Sequence, residues 1–273
     1  MIIEQHFNYY LIGITTIIDK DLRIMNVKTK LLNTALTGLL LSASCIVSVA
    51  NAGVIHWADW QSGTSTEVLG EFVTNTSSVG ITYTNNQEIA FLQTGSRTDY
   101  FDNHQSSLLS PYTSTEVDNI PTASEMIALE NSGNQTLAFS ESVANIVFSY
   151  VSLNGNGYSF DQDFDILSVG GVDGKSDGHY GGGTSYKNIV DNGDGTFDYQ
   201  LLGTGEPHGT IQFKGAFDEV SWNSLSNEYW NGFTVGIQGT TAEVVNSIPE
   251  PTTLAIFALG MFGLAKRRYP KKA

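Results

Sequence analysis

The stretch that decides the fold class spans residues 208–222 and reads HGTIQFKGAFDEVSW. In its first half Ile211 and Phe213 alternate with polar residues, and in its second half Val220 and Trp222 do the same. Alternation with a period of two buries one face of a strand and leaves the other in water, as antiparallel sheets do. The stretch therefore predicts two antiparallel strands in succession.

The same kind of pattern recurs between residues 53 and 245. Short runs of β-branched and aromatic residues are divided by Gly, Asn, Asp and Ser, and no long run has the 3.6-residue period of a helix. About ten such strands predict an all-β body, built as a two-sheet β-sandwich or jelly roll. The predicted strands cover residues 54–60, 79–84, 88–93, 135–140, 145–153, 157–168, 196–202, 209–214, 217–222 and 232–238.

Two segments interrupt this pattern. SEMIALENSG, at 124–133, is too short to distinguish a helical turn from another strand. Residues 94–123 are polar and contain two prolines, which predicts a long surface loop of the kind that carries binding residues on a rigid sandwich.

Charge excludes one class of function. Residues 53–249 contain 24 acidic and 4 basic residues, a net charge of −20, within a chain of 273 residues that has 28 acidic and 13 basic residues in all. Such a surface repels phosphate backbones and anionic headgroups, so we expect no nucleic-acid partner. It keeps a protein soluble, and it also attracts cations.

Three carboxylates are candidates for a calcium site. In GYSFDQDFDIL, Asp161, Asp163 and Asp165 share one face of the predicted strand. They can supply oxygen ligands to Ca²⁺, or they can form a solvated edge that deters aggregation between sheets. No other cofactor is expected, because the histidines show no zinc-ligand spacing. DNGDGTFDY at 191–199 lacks the spacing of a calcium loop and predicts a hairpin turn instead.

The sequence predicts no catalytic residue. Glu206 and His208 flank a proline and come nearest to an acid–base pair, but such a pair is common by chance. No G-x-S-x-G elbow occurs, and with so many carboxylates any glycosidase-like pair is uninformative. We therefore expect a protein without enzymatic activity.

Several aromatic residues can stack on sugar rings wherever they are exposed. Tyr180 follows His179 at the tip of a glycine-rich loop, where it either contacts a ligand or is simply exposed. Trp222 is predicted to lie in the core. The other aromatic candidates are Trp57, Trp60, Tyr229 and Trp230.

Residues 25–52 have the three parts of a secretory signal, predicted to form a signal helix. Two lysines precede an apolar stretch at 31–49, and Ala50 and Ala52 form an A-x-A cleavage site. The sequence thus predicts export of the body through the general secretory machinery. We interpret residues 1–24 as an over-extended N-terminus, since the signal begins at a methionine of its own.

The C-terminal segment SIPEPTTLAIFALGMFGLAKRRYPKKA predicts a second membrane element. Residues 252–265 form an apolar run of 14 residues, about 21 Å as a helix, whereas the hydrocarbon core is about 30 Å thick. This short transmembrane helix is expected to hold the protein only transiently. Before it lies the triplet Pro249, Glu250 and Pro251, and after it the cytoplasmic basic cluster Lys266, Arg267 and Arg268.

This order of triplet, apolar helix and basic tail resembles the PEP-CTERM sorting signal of exosortase substrates, here at residues 246–273. EPHGTIQF and EYWNGFTVG also resemble the glycine-rich β domains of such proteins. The resemblance implies a Gram-negative source, cleavage by an exosortase near Pro249–Pro251, and delivery to the cell surface or matrix, with exopolysaccharide of a biofilm as a partner. It favours a structural or glycan-binding module, and the alternative is a secreted carbohydrate-active enzyme with the same tail.

Overall fold

The computed structural model describes residues 53–95, 97–101, 108–123 and 125–247, which form an antiparallel all-β body with one short helix. The all-β prediction is confirmed. The predicted signal helix and transmembrane helix lie outside the described residues, and no helix within them is long and apolar enough to cross a bilayer. The elements are β1 (His56–Trp57), β2 (Asp59–Gly63), β3 (Glu67–Val73), β4 (Ser78–Asn85), β5 (Ile89–Gln93), β6 (Met126–Leu129), β7 (Gly133–Val151), β8 (Gly157–Phe160), β9 (Asp165–Val169), β10 (Gly183–Asp191), β11 (Phe197–Gly205), β12 (Gly209–Ser224), β13 (Asn231–Ile237), β14 (Gly239–Thr240) and α1 (Thr241–Ser247).

Hydrogen bonds join all fourteen strands of the described body into one antiparallel sheet, where the sequence predicts two. Its main path runs β10-β11-β8-β12-β7-β13-β6-β5. Strands β4, β3 and β2 extend it from β7, and β9 pairs with β12. The strands β3 and β10 and the two-residue β14 are additions to the predicted set. The segment 124–133, for which the sequence left helix and strand open, contains β6.

The sheet changes direction within its two longest strands, β7 and β12. Asn145 has a positive φ of 53°, Gly215 has a φ of 125°, and the pairing register shifts on either side of Phe217. The Asn145 side chain holds the bend, because its Oδ1 accepts a hydrogen bond from Gly215 N at 3.0 Å and its Nδ2 donates to Gln238 Oε1 at 2.8 Å. Gly215 falls in a gap that the sequence predicted between separate strands, whereas Asn145 and Phe217 are the first residues of predicted strands.

The bend divides the sheet into two sections that face each other. The β4 section contains β2, β3, β4, β8, β10, β11, the first half of β7 and the second half of β12. The β13 section contains β1, β5, β6, β9, β13 and the other halves of β7 and β12, and the two-residue β14 pairs with β7 at the bend. Rings from the two sections are in contact, with centroids 5.5 Å apart for Tyr83 and Phe233 and 4.9 Å apart for Phe160 and Phe213. The main core therefore lies between the sections.

The outer face of the β13 section is covered by residues 97–101 and 108–123, called the covering segment below. Its Phe101, Tyr112 and Val117 are fully buried, and they belong to two smaller cores that also include Val147 and Val151 of β7. The prediction of a surface loop is therefore wrong for these three side chains, which are buried. Apolar residues within a polar stretch pack on the sheet because its outer face is itself apolar.

The outer face of the β4 section is polar and open. Its strands present hydroxyl and amide side chains around a cleft of about 460 Å³. Thr136 of β7 and Ser221 of β12 lie side by side there, with their hydroxyl oxygens 3.0 Å apart. The predicted alternation holds on this side, since Val220 and Trp222 are buried and Glu219 is exposed.

The helix α1 is fixed to the body by Glu243. Thr240 N donates to Glu243 Oε2 at 2.8 Å and Glu243 N donates to Thr240 Oγ1 at 3.2 Å, which is a capping box. Thr74 Oγ1 donates to Glu243 Oε1 at 2.6 Å, and Thr76 Oγ1 donates to the same oxygen. Burial alone would raise the pKa of Glu243, but these hydrogen bonds outweigh it and lower the pKa to about 2. The last described residues therefore form a helix that is anchored to the body.

Candidate functional site

An aromatic cluster lies where the covering segment meets two loops of the body. It consists of Tyr100, His179, Tyr180 and Trp230, with ring centroids 5.3 Å apart for Tyr100 and Trp230, 5.5 Å for Tyr180 and Trp230, and 5.0 Å for Tyr100 and His179. Tyr180 is 46% exposed and the neighbouring Tyr229 is 91% exposed. The cluster therefore presents ring surface to solvent.

Three contacts set the position of the cluster. Trp230 packs against Phe91 of β5 with centroids 5.2 Å apart. Lys175 Nζ in the glycine-rich loop donates to Leu108 O at 3.0 Å and to Thr113 Oγ1 at 3.1 Å, which ties this loop to the covering segment. Gly178 lies against the His208 ring, where a Cβ atom would come within 1.9 Å of His208 Cγ. A glycine is required there, directly before the two rings that the loop presents.

Two carboxylates, Glu206 and Glu228, lie beside the aromatic cluster and form what we call the carboxylate pair. Asn154 bridges them, because its Nδ2 donates to Glu206 Oε1 at 2.7 Å and its backbone N donates to Glu228 Oε1 at 3.2 Å. Ser152 Oγ donates to Glu206 as well. Glu206 N also donates to Gly182 O at 3.2 Å, which places the pair next to the loop that carries Tyr180.

The surroundings of this site shift the pKa values of Glu228 and Tyr180. Burial raises the pKa of Glu228 to about 7, in spite of hydrogen bonds from Asn231 and Asn154, and the charge of Glu206 adds to the increase. Burial and the hydrogen bond with Tyr100 raise the pKa of Tyr180 to about 12, with a smaller contribution from the charge of Glu206. Glu228 thus changes protonation near neutral pH.

The structure does not bring Glu206 and His208 together as an acid–base pair. His208 is 1% exposed, and its Nδ1 lies 2.9 Å from the Tyr112 hydroxyl. Burial, with the nearby His179, lowers the pKa of His208 to about 3, so the ring is neutral at physiological pH. His208 acts as a buried support under the covering segment, while Glu206 belongs to the carboxylate pair.

The three aspartates proposed as a calcium site do not share one strand. The predicted strand 157–168 is broken at 161–164, because β8 pairs in the β4 section and β9 pairs in the β13 section. Asp163 forms an ion pair with Lys187, and Asp165 with Lys214 at 2.6 Å. Within the described residues no group of three or more His, Cys, Asp or Glu side chains could hold a metal ion. Calcium binding stays a prediction.

The remaining sequence predictions have four outcomes. Trp222 is 3% exposed and Trp60 is fully buried, so both belong to the core. Trp57 Nε1 donates to Asn119 O at 3.3 Å, under the covering segment. The β10–β11 hairpin is confirmed by the pairing of Asp191 with Phe197. The predicted processing residues lie outside the described residues: Ala50, Ala52, Pro249, Glu250, Pro251, Lys266, Arg267 and Arg268.

Sequence reasoning identified Tyr180, Tyr229 and Trp230 as candidates but missed Tyr100, Asn154 and Glu228. Glu228 directly precedes the aromatic pair, which is a weak local signal. Its relation to Glu206 depends on a turn at Asn154, far away in the chain, which the sequence pattern does not reveal.

The comparisons with known proteins concern the segment after the body. Residues 247–268 match the family model of the PEP-CTERM protein-sorting motif. Neither the curated proteins nor the solved structures include a match to this chain. The chain therefore carries, directly after its folded body, the PEP-CTERM sorting motif of exported proteins that an exosortase processes.

Proposed function

We propose that this exported protein is a non-enzymatic glycan-binding module of the cell surface or extracellular matrix, and that its ligand lies on the aromatic cluster and the carboxylate pair. A single observation carries the proposal: exposed rings stand beside two carboxylates and an amide, at a site built from loops on a rigid sheet. Ligand-binding sites combine apolar and aromatic surface with a few polar groups that fix the orientation of the ligand.

The chemistry of a sugar matches both parts of the site. The aliphatic face of a pyranose ring packs on an aromatic ring, and Tyr180 and Tyr229 offer such surface. Sugar hydroxyl groups donate hydrogen bonds to carboxylate oxygens and accept them from amide N–H groups. The carboxylate pair and Asn154 supply these partners within one small area.

The sorting motif supports the cellular location that we propose. In the proposed sequence of events, the signal at 25–52 directs export, the apolar run at 252–265 holds the protein transiently in the inner membrane, and an exosortase cleaves near Pro249–Pro251. The body, a sandwich-like bent sheet, is then delivered to the surface or matrix of a Gram-negative bacterium, where exopolysaccharide is its partner.

The test is a titration of the purified full chain with the producer's own exopolysaccharide. The Tyr180→Ala variant is expected to weaken binding at least tenfold, since it removes the exposed ring of the cluster. The matched control is Tyr186→Ala, which removes a tyrosine of similar exposure, 50%, on β10. Absence of binding, or equal losses in the two variants, would contradict the proposal.

A carbohydrate-active enzyme is the second candidate, and one observation favours it. Glu228, with a pKa raised to about 7, stands close to a second carboxylate, as an acid and its partner do in glycosidases. Incubation of the same polysaccharide with the full chain separates the candidates. Release of products that Glu228→Gln abolishes would support the enzyme, whereas retention of the glycan without turnover supports the binding module.

A further inference from the structure

We infer that the site selects amino sugars whose amino groups are free and can carry a positive charge. This inference rests on the proposed glycan-binding function and names the class of ligand. The carboxylate pair, placed against the aromatic cluster, is the feature that carries it.

Neither Glu206 nor Glu228 forms an ion pair with a basic residue of the described body. Glu228, whose pKa is about 7, carries its negative charge only in part at pH 7, and an ammonium group bound beside it would favour the charged form. Within the described residues, the hydrogen bonds that Glu206 and Glu228 accept come from neutral groups. The donors are Ser152, Asn154, Asn156 and Asn231. Of the four basic residues of the body, Lys175, Lys187 and Lys214 make the contacts described above. The fourth, Arg97, forms no ion pair with either glutamate among the described residues.

A sugar ammonium group complements both parts of the site. Hydrogen bonds between an ammonium and a carboxylate are about twice as strong as neutral ones, and the pair offers up to four acceptor oxygens. The same ammonium gains from the faces of tyrosine and tryptophan rings through a cation–π interaction. One substituent thus contacts the pair while the sugar ring stacks on Tyr180 or Tyr229.

Two related sugars lack this complementarity although they offer the same ring. An N-acetyl group removes the positive charge and leaves the pair without a counter-charge. A uronic acid adds a negative charge, which the pair and the strongly acidic body repel. The structure therefore ranks free amino sugars first, N-acetylated sugars second and uronic acids last.

The experiment compares the glucosamine tetramer with the N-acetylglucosamine tetramer by calorimetric titration of the full chain at pH 7. The glucosamine tetramer is expected to bind at least tenfold more tightly in 20 mM salt. The difference should shrink at 500 mM salt, because screening weakens an exposed ion pair. Tyr180→Ala is expected to weaken both ligands.

Charge-neutralising variants show which residues cause the preference for the free amino sugar. Glu206→Gln and Glu228→Gln should each weaken the glucosamine tetramer more than the N-acetylated one, and Glu219→Gln, which removes an exposed glutamate from the open face of β12, should leave both affinities unchanged. Equal affinities for the two tetramers, lost together in Tyr180→Ala, would overturn the inference and keep the glycan site. A preference abolished equally by Glu219→Gln would also overturn the inference. Failure of both tetramers and of the exopolysaccharide to bind would overturn the inference and the proposed function together.

Discussion

The two halves of β12 have the same alternating pattern but different environments. In the first half, both faces are buried, since Thr210 is 0% and Gln212 3% exposed. In the second half, Val220 and Trp222 are buried while Glu219 faces water. The covering segment makes the difference, because Tyr112 and its neighbours lie over the first half and leave the second half open. A segment that is distant in the sequence therefore decides whether the outer face of a strand is exposed to solvent.

The same comparison explains where the candidate site lies. The covering segment supplies Tyr100 and holds the glycine-rich loop through Lys175, so that exposed rings meet the carboxylate pair at its margin. The open face of the β4 section has a cleft of about 460 Å³, but its lining consists mainly of hydroxyl and amide groups over the buried Trp222 and Phe160. The covering segment therefore also supplies part of the candidate site.

The largest expected effect comes from removing the anchor of the covering segment. Phe101→Ala deletes a fully buried ring and should lower the free energy of unfolding by about 3–5 kcal/mol, through lost burial and an unfilled cavity. Urea denaturation of the full chain measures this loss. Tyr229→Ala removes a ring that is 91% exposed and should stay within about 0.5 kcal/mol. Similar losses in both would show that the segment does not cover the sheet.

Much of the fold could be predicted from the sequence, since period-two alternation and turn residues reflect local physics. The gap left between predicted strands at 215–216 contains Gly215, and the gap at 141–144 ends directly before Asn145, so both gaps adjoin the bend. The sequence could not reveal that a single strand continues through each of these gaps, because bulges keep strands paired across irregular residues.

The covering segment and the site were harder to predict. Residues 94–123 have the composition of a loop, and the burial of Phe101 and Tyr112 depends on an apolar patch formed by other strands. The carboxylate pair joins residues 22 positions apart through Asn154, so no local pattern indicates it. For the aspartates, alternation predicted one shared face, and the crossing between sections separated them.

A pH-dependent effect tests the buried support beneath the covering segment. The pKa of His208 is about 3 in the folded state, below the ordinary value of 6.5, so the unfolded chain takes up the proton first as the pH falls. Stability is therefore complete above pH 6.5 and is lost progressively towards pH 3, by about 2 kcal/mol between pH 7 and pH 5. His208→Gln should flatten this dependence in urea titrations, while its own stability should not vary between pH 7 and pH 8. An unchanged slope in the variant would contradict the assignment.

Two matched threonines compare the covered and open faces directly. The Thr210 and Ser149 hydroxyls are 2.8 Å apart and buried, whereas the Thr136 and Ser221 hydroxyls are 3.0 Å apart on the open face. Thr210→Val should cost about 1.5 kcal/mol, because it leaves the Ser149 hydroxyl and the Tyr112 carbonyl without a partner, and Thr136→Val should stay within about 0.5 kcal/mol. Equal costs in thermal denaturation would mean that the two faces are equally solvated.

The smallest effect is expected at the anchored helix, away from both faces. Glu243→Gln should lower stability by about 1 kcal/mol at pH 7, as the loss of a helix cap does. Because the pKa of Glu243 is lowered to about 2, its contribution is present above about pH 4.5 and disappears as the pH falls towards 2. Urea titrations at pH 7 and pH 3 would show the wild type and the variant converging at the lower pH. A constant difference would refute the role of the carboxylate.

Hydrogen–deuterium exchange of the full chain, with and without the producer's exopolysaccharide, tests the central claim most directly. The claim is that the ligand lies at the margin of the covered face. The glycan should slow exchange at residues 97–101, 178–183 and 225–231, and should leave residues 133–136 and 219–223 of the open face unchanged. Protection confined to the open face would contradict the account.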